Sequence, residues 1–450
     1  MIKDSNKRNA RVTVAIVAVL YALRLYYCYS SYFIDYNWQF SSKDESNIYL
    51  MGLRFFLTHQ FPCWGPDVTY THTYLVGGMQ GFLVGAPLFV WAHPFAPYLF
   101  LFIIVSASLI YLSWYSSKLF PGVKPWLIYT LIAIAPFTVH TGLHVINPTY
   151  VLCFTIPFML SLVETLQLFE KQYIRPGWRF FWMGLATTSV FQLNSSWVLL
   201  FALFGVGILY TWFIIPKKSQ IVKLLFMGGL GMLLGALTLI PLLYHYGTSH
   251  FSQQGKVVNF SLSNIGDFTR VVYYIITQCE YEMNVFDTNF RISAWLDAHN
   301  YVGAGVFILM QVTGLLLFAS QILFLFWKKW RPYIRQSKRF LWFMAGLAFM
   351  LSIMYMFSVV RPRPHMFVIL FPLSALYLFW FLQNLFKTTR IRYSWFAVFS
   401  VGALIFYGMA LHQTFMLPDL GYRAKLFEAF KKKDPTIFEH PRYIYPQPIR

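Results

Sequence analysis

Long apolar runs alternate with short polar breaks along almost the whole chain. Runs of the roughly 20 residues needed to cross a bilayer begin near Val12, Pro97, Trp126, Tyr150, Phe180, Ser196, Leu224, Tyr301, Phe340, Met366 and Trp395. This pattern predicts an all-α polytopic membrane protein with about eleven transmembrane helices. A further apolar stretch, Tyr74–Ala92, contains Gly77, Gly78, Gly81, Gly85 and Pro87, which weaken a helix. The first run follows Lys3, Lys7, Arg8 and Arg11. It is longer than a signal-peptide core and no small-x-small cleavage site follows it, so it reads as an uncleaved first helix.

The distribution of basic residues decides what Tyr74–Ala92 does. If it does not span, the cytoplasmic side receives the N-terminal cluster, Lys118 and Lys124, Lys171, Arg175 and Arg179, and the dense group from Lys328 to Arg339. That is the positive-inside arrangement. If it spans, every later loop flips and the bias reverses. The stretch is therefore expected to lie at the outer interface as a helix or re-entrant segment. This parity puts the basic tail, 413–450, outside. Two readings of the tail remain: it is translocated with its charge, or one late helix is miscounted. The transmembrane domain is expected to occupy 1–412, with long external segments at about 35–96 and 245–300.

Composition sharpens the picture. The chain is 58% hydrophobic and 12% charged, against soluble averages of about 45–50% and about 25%. The net charge of +20 is explained by topology, and no nucleic-acid partner is expected. The four cysteines, Cys28, Cys63, Cys153 and Cys279, form no C-x-x-C pair. Cys63 and Cys279 fall in the two external segments, either as free thiols or as a disulfide.

The acids are the informative residues. Between residues 12 and 412 nearly all lie in the two long external segments: Asp35, Asp44, Glu45 and Asp67 in the first, and Asp267, Glu280, Glu282, Asp287 and Asp297 in the second. Glu164 and Glu170 fall at the cytoplasmic end of a helix. Coupled transporters place ionisable groups in mid-membrane, whereas these spans hold few charges, Arg24 being the clear exception. An enzyme working at the outer face fits this distribution better than a pump.

The first external segment reads Ser42-Lys43-Asp44-Glu45-Ser46-Asn47-Ile48-Tyr49, then Pro62-Cys63-Trp64-Gly65-Pro66-Asp67. This order resembles the opening of the GT-C glycosyltransferases, in particular the protein O-mannosyltransferases and the lipid A aminoarabinose transferases. The Asp-Glu pair after the first helix carries the likeness. Weaker similarities are Arg24, Ala135-Pro136 with His140 and Asn147-Pro148, Gln192-Leu193-Asn194, Ile240-Pro241, and Arg361-Pro362-Arg363-Pro364-His365. The chain departs from the family in lacking its larger external domain. It also has His140 and His144 where many members carry an acid, which leaves the sugar open.

The resemblance implies an inverting sugar transfer from a polyprenyl-phosphate donor to a glycan, lipid or protein acceptor. The site would face the periplasm from a bacterial inner membrane, or the lumen if the membrane is the endoplasmic reticulum. Such a reaction needs a carboxylate to take the acceptor's proton and cations near the leaving phosphate. Asp44 is the candidate base and Glu45 its alternative or orienting partner; the pair also reads as ordinary acids at a helix N-terminus. Asp67, Tyr49, His140, His144, Asn147, Gln192, Asn194 and His365 are candidate substrate ligands. Asp67 equally fits a turn, and Gln192 and Asn194 equally fit caps at a helix break. Arg361, Arg363 and Arg24 are candidate phosphate ligands. The first two also fit headgroup snorkelling, and a buried Arg24 calls for a partner, with an acid of the first loop in view. No cofactor is expected; His140 and His144 at i, i+4 leave a divalent metal open. An O-antigen polymerase or ligase would depend more on late basic residues than on Asp44-Glu45. A lipid-linked glycan flippase would need mid-membrane charge.

Overall fold

A computed structural model describes residues 2–32, 41–68, 73–135, 138, 142–145, 149–248, 260–277, 301–327, 330–357, 364–388, 428 and 432. Helix α1 (Ile2–Tyr32) leads to α2 (Ser41–Thr58), strands β1 (Trp64–Val68) and β2 (Thr73–Val76), and α3 (Met79–Val90). Then come α4 (Ala96–Leu119), α5 (Pro125–Ile134), α6 (Val151–Thr165), α7 (Pro176–Phe191), α8 (Trp197–Ile214), α9 (Lys218–Ala236) and α10 (Ile240–Tyr246). A 3₁₀ turn (Leu262–Asp267) runs into α11 (Phe268–Thr277), followed by α12 (Tyr301–Phe326), α13 (Arg331–Gln336) and α14 (Lys338–Met356). A second 3₁₀ turn (Pro364–Leu370) opens α15 (Phe371–Thr388).

The chain is an all-α membrane protein. Among the described residues, six segments are long and apolar enough to cross a bilayer: Ala10–Tyr29, Ala96–Leu119, Trp197–Ile214, Lys218–Tyr246, Lys338–Met356 and Met366–Lys387. Exposed Phe201, Phe213, Phe226 and Leu233 on α8 and α9 give those helices an apolar outer face, which only lipid covers without cost. The run from Trp395 and most of the tail lie outside the described residues. Prolines at the first turn start α4, α5 and α7, where the missing N–H is no loss.

One element corrects the purely helical expectation. Strands β1 and β2 pair antiparallel, Trp64 opposite Val76 and Val68 opposite Thr73, with an irregularity between Trp64 and Asp67. Pro66 lies in that interval and has no N–H to donate to the ladder.

The connections gather at two ends. At one end, Gly122 N–H donates to Gln383 Oε1 (3.0 Å), Tyr173 Oη to the Lys118 carbonyl (3.0 Å), and Trp380 Nε1 to Ser337 Oγ (2.7 Å). This end carries Lys118, Lys124, Lys171, Arg175, Arg335 and Lys387, and is called the basic end below. At the other, the acid-bearing end, Tyr49 Oη donates to the Pro94 carbonyl (3.1 Å), Gly78 N–H to the Thr238 carbonyl (3.4 Å), and Ser196 Oγ to the Met366 carbonyl (3.3 Å). Helix α3 begins beside Thr238 and finishes beside Pro94, so both of its ends meet the same end of the bundle. Its glycines serve packing rather than flexibility: a Cβ on Gly85 would press on the Gly52 carbonyl of α2 at 2.6 Å.

Candidate functional site

The acid-bearing end is assembled around an interrupted helix. Helix α5 stops at Ile134 after ten residues, about 15 Å of rise, or half of a hydrocarbon core of about 30 Å. Helix α6 resumes at Val151. Between them Thr138 and Gly142 are helical and 143–145 and 149 are not. Ala135, Thr138, Leu143, His144, Val145 and Thr149 are buried, which suits irregular backbone in a membrane protein.

Arg24, 3% exposed, holds this break. Its Nη1 donates to the Ala133 carbonyl (2.7 Å) and to Thr138 Oγ1 (3.3 Å), and its Nη2 to the Thr138 carbonyl (3.1 Å). The ring of Tyr21 lies 5.9 Å from the guanidinium. The side chains of the acids of the first external segment lie outside the described residues; the described partners of Arg24 include the carbonyl end of α5. That end carries about half a negative charge and favours a cation. Arg24 Nε is buried with no acceptor among the described residues. One turn further along α1, the Tyr27 ring meets the ring of buried His144 edge-on at 6.2 Å, and Thr149 Oγ1 donates to the His144 carbonyl at 2.6 Å. Cys28 Sγ lies 3.6 Å from the Tyr98 carbonyl.

Asp44 and Glu45 fall in the first turns of α2; their side chains lie outside the described residues. One turn later Ile48 and Tyr49 are fully buried. Tyr49 stacks near Tyr98 (6.2 Å) and gives its hydroxyl proton to Pro94, so its place is in the packing of α2 on the start of α4. Asp67 stands opposite Tyr74 in the strand pair, with its side chain outside the described residues. Cys63 is a free cysteine, and burial pushes its thiol pKa up; Cys279 is outside the described residues.

The α7–α8 break lies at the same end. Gln192 Nε2 donates to the carbonyls of Gly235 (2.8 Å) and Thr188 (3.3 Å), and its Oε1 accepts from Thr238 Oγ1 (2.7 Å). Gly77, at φ 98°, presses against this amide; the left-handed turn out of β2 requires a residue without Cβ. Asn194 Oδ1 accepts from Ser196 N–H (2.9 Å) within the turn before α8. Gln192 ties the ends of α7 and α9 together, one of the two roles open to it in sequence. His365 falls in the 3₁₀ turn before α15 with its side chain undescribed. His140, Asn147, Arg361 and Arg363 lie outside the described residues. Among the described residues no three of His, Cys, Asp and Glu cluster as a metal site.

Arg24 and His144 therefore meet at the interrupted helix. Asp44, Glu45, Tyr49 and Asp67 share one segment folded against the same end, and Gln192 links α7 to the end of α9 there. Comparison with protein-family models, with curated proteins and with solved structures gives no match.

Proposed function

We propose that this chain is a GT-C-type membrane glycosyltransferase. It moves a sugar from a polyprenyl-phosphate donor to an acceptor at the non-cytoplasmic face, with inversion. About eleven crossings place the basic end in the cytoplasm and the acid-bearing end outside, in the periplasm for a bacterial inner membrane.

One observation carries this reading. The segment bearing Asp44, Glu45 and Asp67 folds as α2, a strand pair and α3 against the end of the bundle where the interrupted helix buries Arg24. Carboxylates on a folded-back segment beside a greasy bundle suit proton removal from an acceptor whose partner substrate is a lipid. The described carboxylate inside the bundle, Glu164, belongs to the opposite end and is bound there by Arg179 and two backbone amides. A flippase would need free charge at mid-depth, which favours the enzyme.

Asp44 takes the acceptor proton, Glu45 orients the acceptor, and Arg361 and Arg363 meet the leaving phosphate. The test is transfer from a radiolabelled polyprenyl-phosphate sugar by purified protein and by Asp44→Asn. Transfer by the parent and its loss in the variant support the proposal. Full activity in the variant removes Asp44 as base, and failure of the parent to bind any polyprenyl-phosphate sugar removes the whole class.

A further inference from the structure

The second long segment contains a feature independent of the proposed chemistry. In the turn Leu262–Asp267 the chain is 3₁₀-helical, and three residues per turn align side chains at i and i+3. Leu262, Ile265 and, at the junction with α11, Phe268 thus form one line, and they are 64%, 59% and 47% exposed. Large apolar side chains of this kind are favourable only when removed from water, so three exposed in a row need a covering medium. The opposite side is fastened down. Ser261 N–H donates to the Met356 carbonyl (3.0 Å), Asn264 Nδ2 to the Tyr355 carbonyl (3.1 Å), and Asp267 is buried, 3.5 Å from Arg270 Nε. The ridge is therefore held outward by polar bonds.

Continuity names the covering medium. Phe260 packs on Phe357 with ring centroids 5.2 Å apart, and both are exposed. Phe357 directly follows α14, whose exposed Phe349, Ile353 and Met354 belong to a helix long and apolar enough to cross the bilayer. The ridge thus extends the apolar outer face of a span. Beyond it, α11 turns inward: Val271 and Tyr273–Ile276 are buried, with Tyr273 against Phe318 of α12 (5.1 Å) and Tyr274 against Phe367 (4.8 Å).

We infer that segment 260–277 is a membrane-inserted wedge whose Leu262–Ile265–Phe268 ridge contacts the acyl chains of the leaflet at the acid-bearing end, while α11 anchors it in the bundle. The Asp267–Arg270 pair marks the polar limit of insertion, because charge is costly in hydrocarbon.

The test uses the full native chain in phosphatidylcholine vesicles containing a lipid with a photoactivatable diazirine on its acyl chain. Trypsin cleaves after Lys256, Arg270, Arg339 and Lys387 but not at the Arg–Pro bonds after Arg361 and Arg363, so the ridge and α14 fall in separate peptides, 257–270 and 340–387. Lipid adducts on both peptides are the expected result. Adducts on 340–387 alone, with 257–270 oxidised by hydroxyl radicals from water, overturn the inference; so does a protein–protein crosslink through 257–270 without lipid adducts, which makes a second copy the occupant. Spin labels on Ile265→Cys and Leu262→Cys, in a chain with its native cysteines replaced, provide a second reading. Collisions with oxygen exceeding those with a nickel chelate, as at Phe349→Cys, support the wedge, and the reverse order, as at Glu170→Cys, overturns it.

Discussion

The two ends of the bundle handle buried polarity in opposite ways. At the basic end a carboxylate and a guanidinium neutralise each other. Glu164 accepts from the amides of Tyr173 (2.6 Å) and Ile174 (2.9 Å) and pairs with Arg179 at 3.1 Å; Arg179 also donates to the Ile174 carbonyl (2.7 Å) and to Gln172 Oε1 (2.8 Å). Helix α6 closes there with Gln167 at φ 51°, its N–H on the Glu164 carbonyl and that of Leu168 on the Val163 carbonyl, the Schellman pattern of helix termination. At the acid-bearing end a guanidinium of similar burial donates, among the described residues, to carbonyls and a hydroxyl, where α5 stops after ten residues. A buried pair is complete in itself. A buried cation set on a helix terminus is met by the carbonyl dipoles of that end instead.

The largest predicted effect separates these roles. Asp44→Asn should lower sugar transfer by about 10²–10⁴-fold, the range for losing a general base, with no change in the thermal unfolding midpoint. Glu164→Ala should do the opposite. Removing one partner of a buried pair costs about 3–5 kcal/mol, read as a fall in the midpoint in detergent micelles, while transfer per folded molecule is retained. If Glu164→Ala abolishes transfer in correctly folded protein, the division of labour between the ends is wrong.

A middle-sized effect probes the scaffold that joins the ends. Helices α7 and α9 touch backbone to backbone, and a Cβ on Gly231 would collide with the Phe181 carbonyl oxygen. Gly231→Ala should destabilise by about 1–3 kcal/mol through overpacking. Gly229, two residues away on the same helix, has nothing near it, and Gly229→Ala should stabilise by about 0.5–1 kcal/mol from helix propensity alone. Opposite signs in paired unfolding measurements are the expected result.

These residues also mark what could be read in sequence. Helix positions were partly legible because apolar runs act locally: helices begin within two residues of the predicted starts at Pro97, Trp126, Tyr150, Ser196, Tyr301 and Phe340, whereas α1, α7 and α9 begin well before Val12, Phe180 and Leu224. The half-depth halt of α5 was signalled only by Ala135-Pro136. The carbonyls that Arg24 meets were not legible, because backbone carbonyls carry no residue identity. The strand pair was read as a turn because Gly65-Pro66 dominates a stretch of few residues. The period-three ridge at Leu262, Ile265 and Phe268 fits neither the helical nor the strand repeat, so no pattern search for 3.6 or 2 finds it. Gln192 and Asn194 were ambiguous in sequence because a polar residue at a helix break serves a substrate and a cap equally well. The hydrogen bonds of Gln192 to Gly235 and Thr238 give it the helix-end role, whereas the Asn194 side chain bonds only locally, to Ser196, among the described residues.

Tyr49 gives the smallest effect and the finest cut through the acid-bearing end. In sequence it is the aromatic a few residues after Asp44-Glu45 in the opening that resembles the GT-C glycosyltransferases, and that resemblance made it a candidate substrate ligand. In the structure it is fully buried, stacked near Tyr98, and its hydroxyl is 3.1 Å from the Pro94 carbonyl. Tyr49→Phe removes that donor and keeps the ring. The loss should be about 0.5–1.5 kcal/mol, the net worth of one hydrogen bond, seen as a small fall in the unfolding midpoint with KM for the lipid-linked donor unchanged. A rise in KM without a change in midpoint would return Tyr49 to the substrate site. It would also move the boundary between packing and chemistry one turn down α2, because the ring that seats α2 on α4 would then touch the sugar as well.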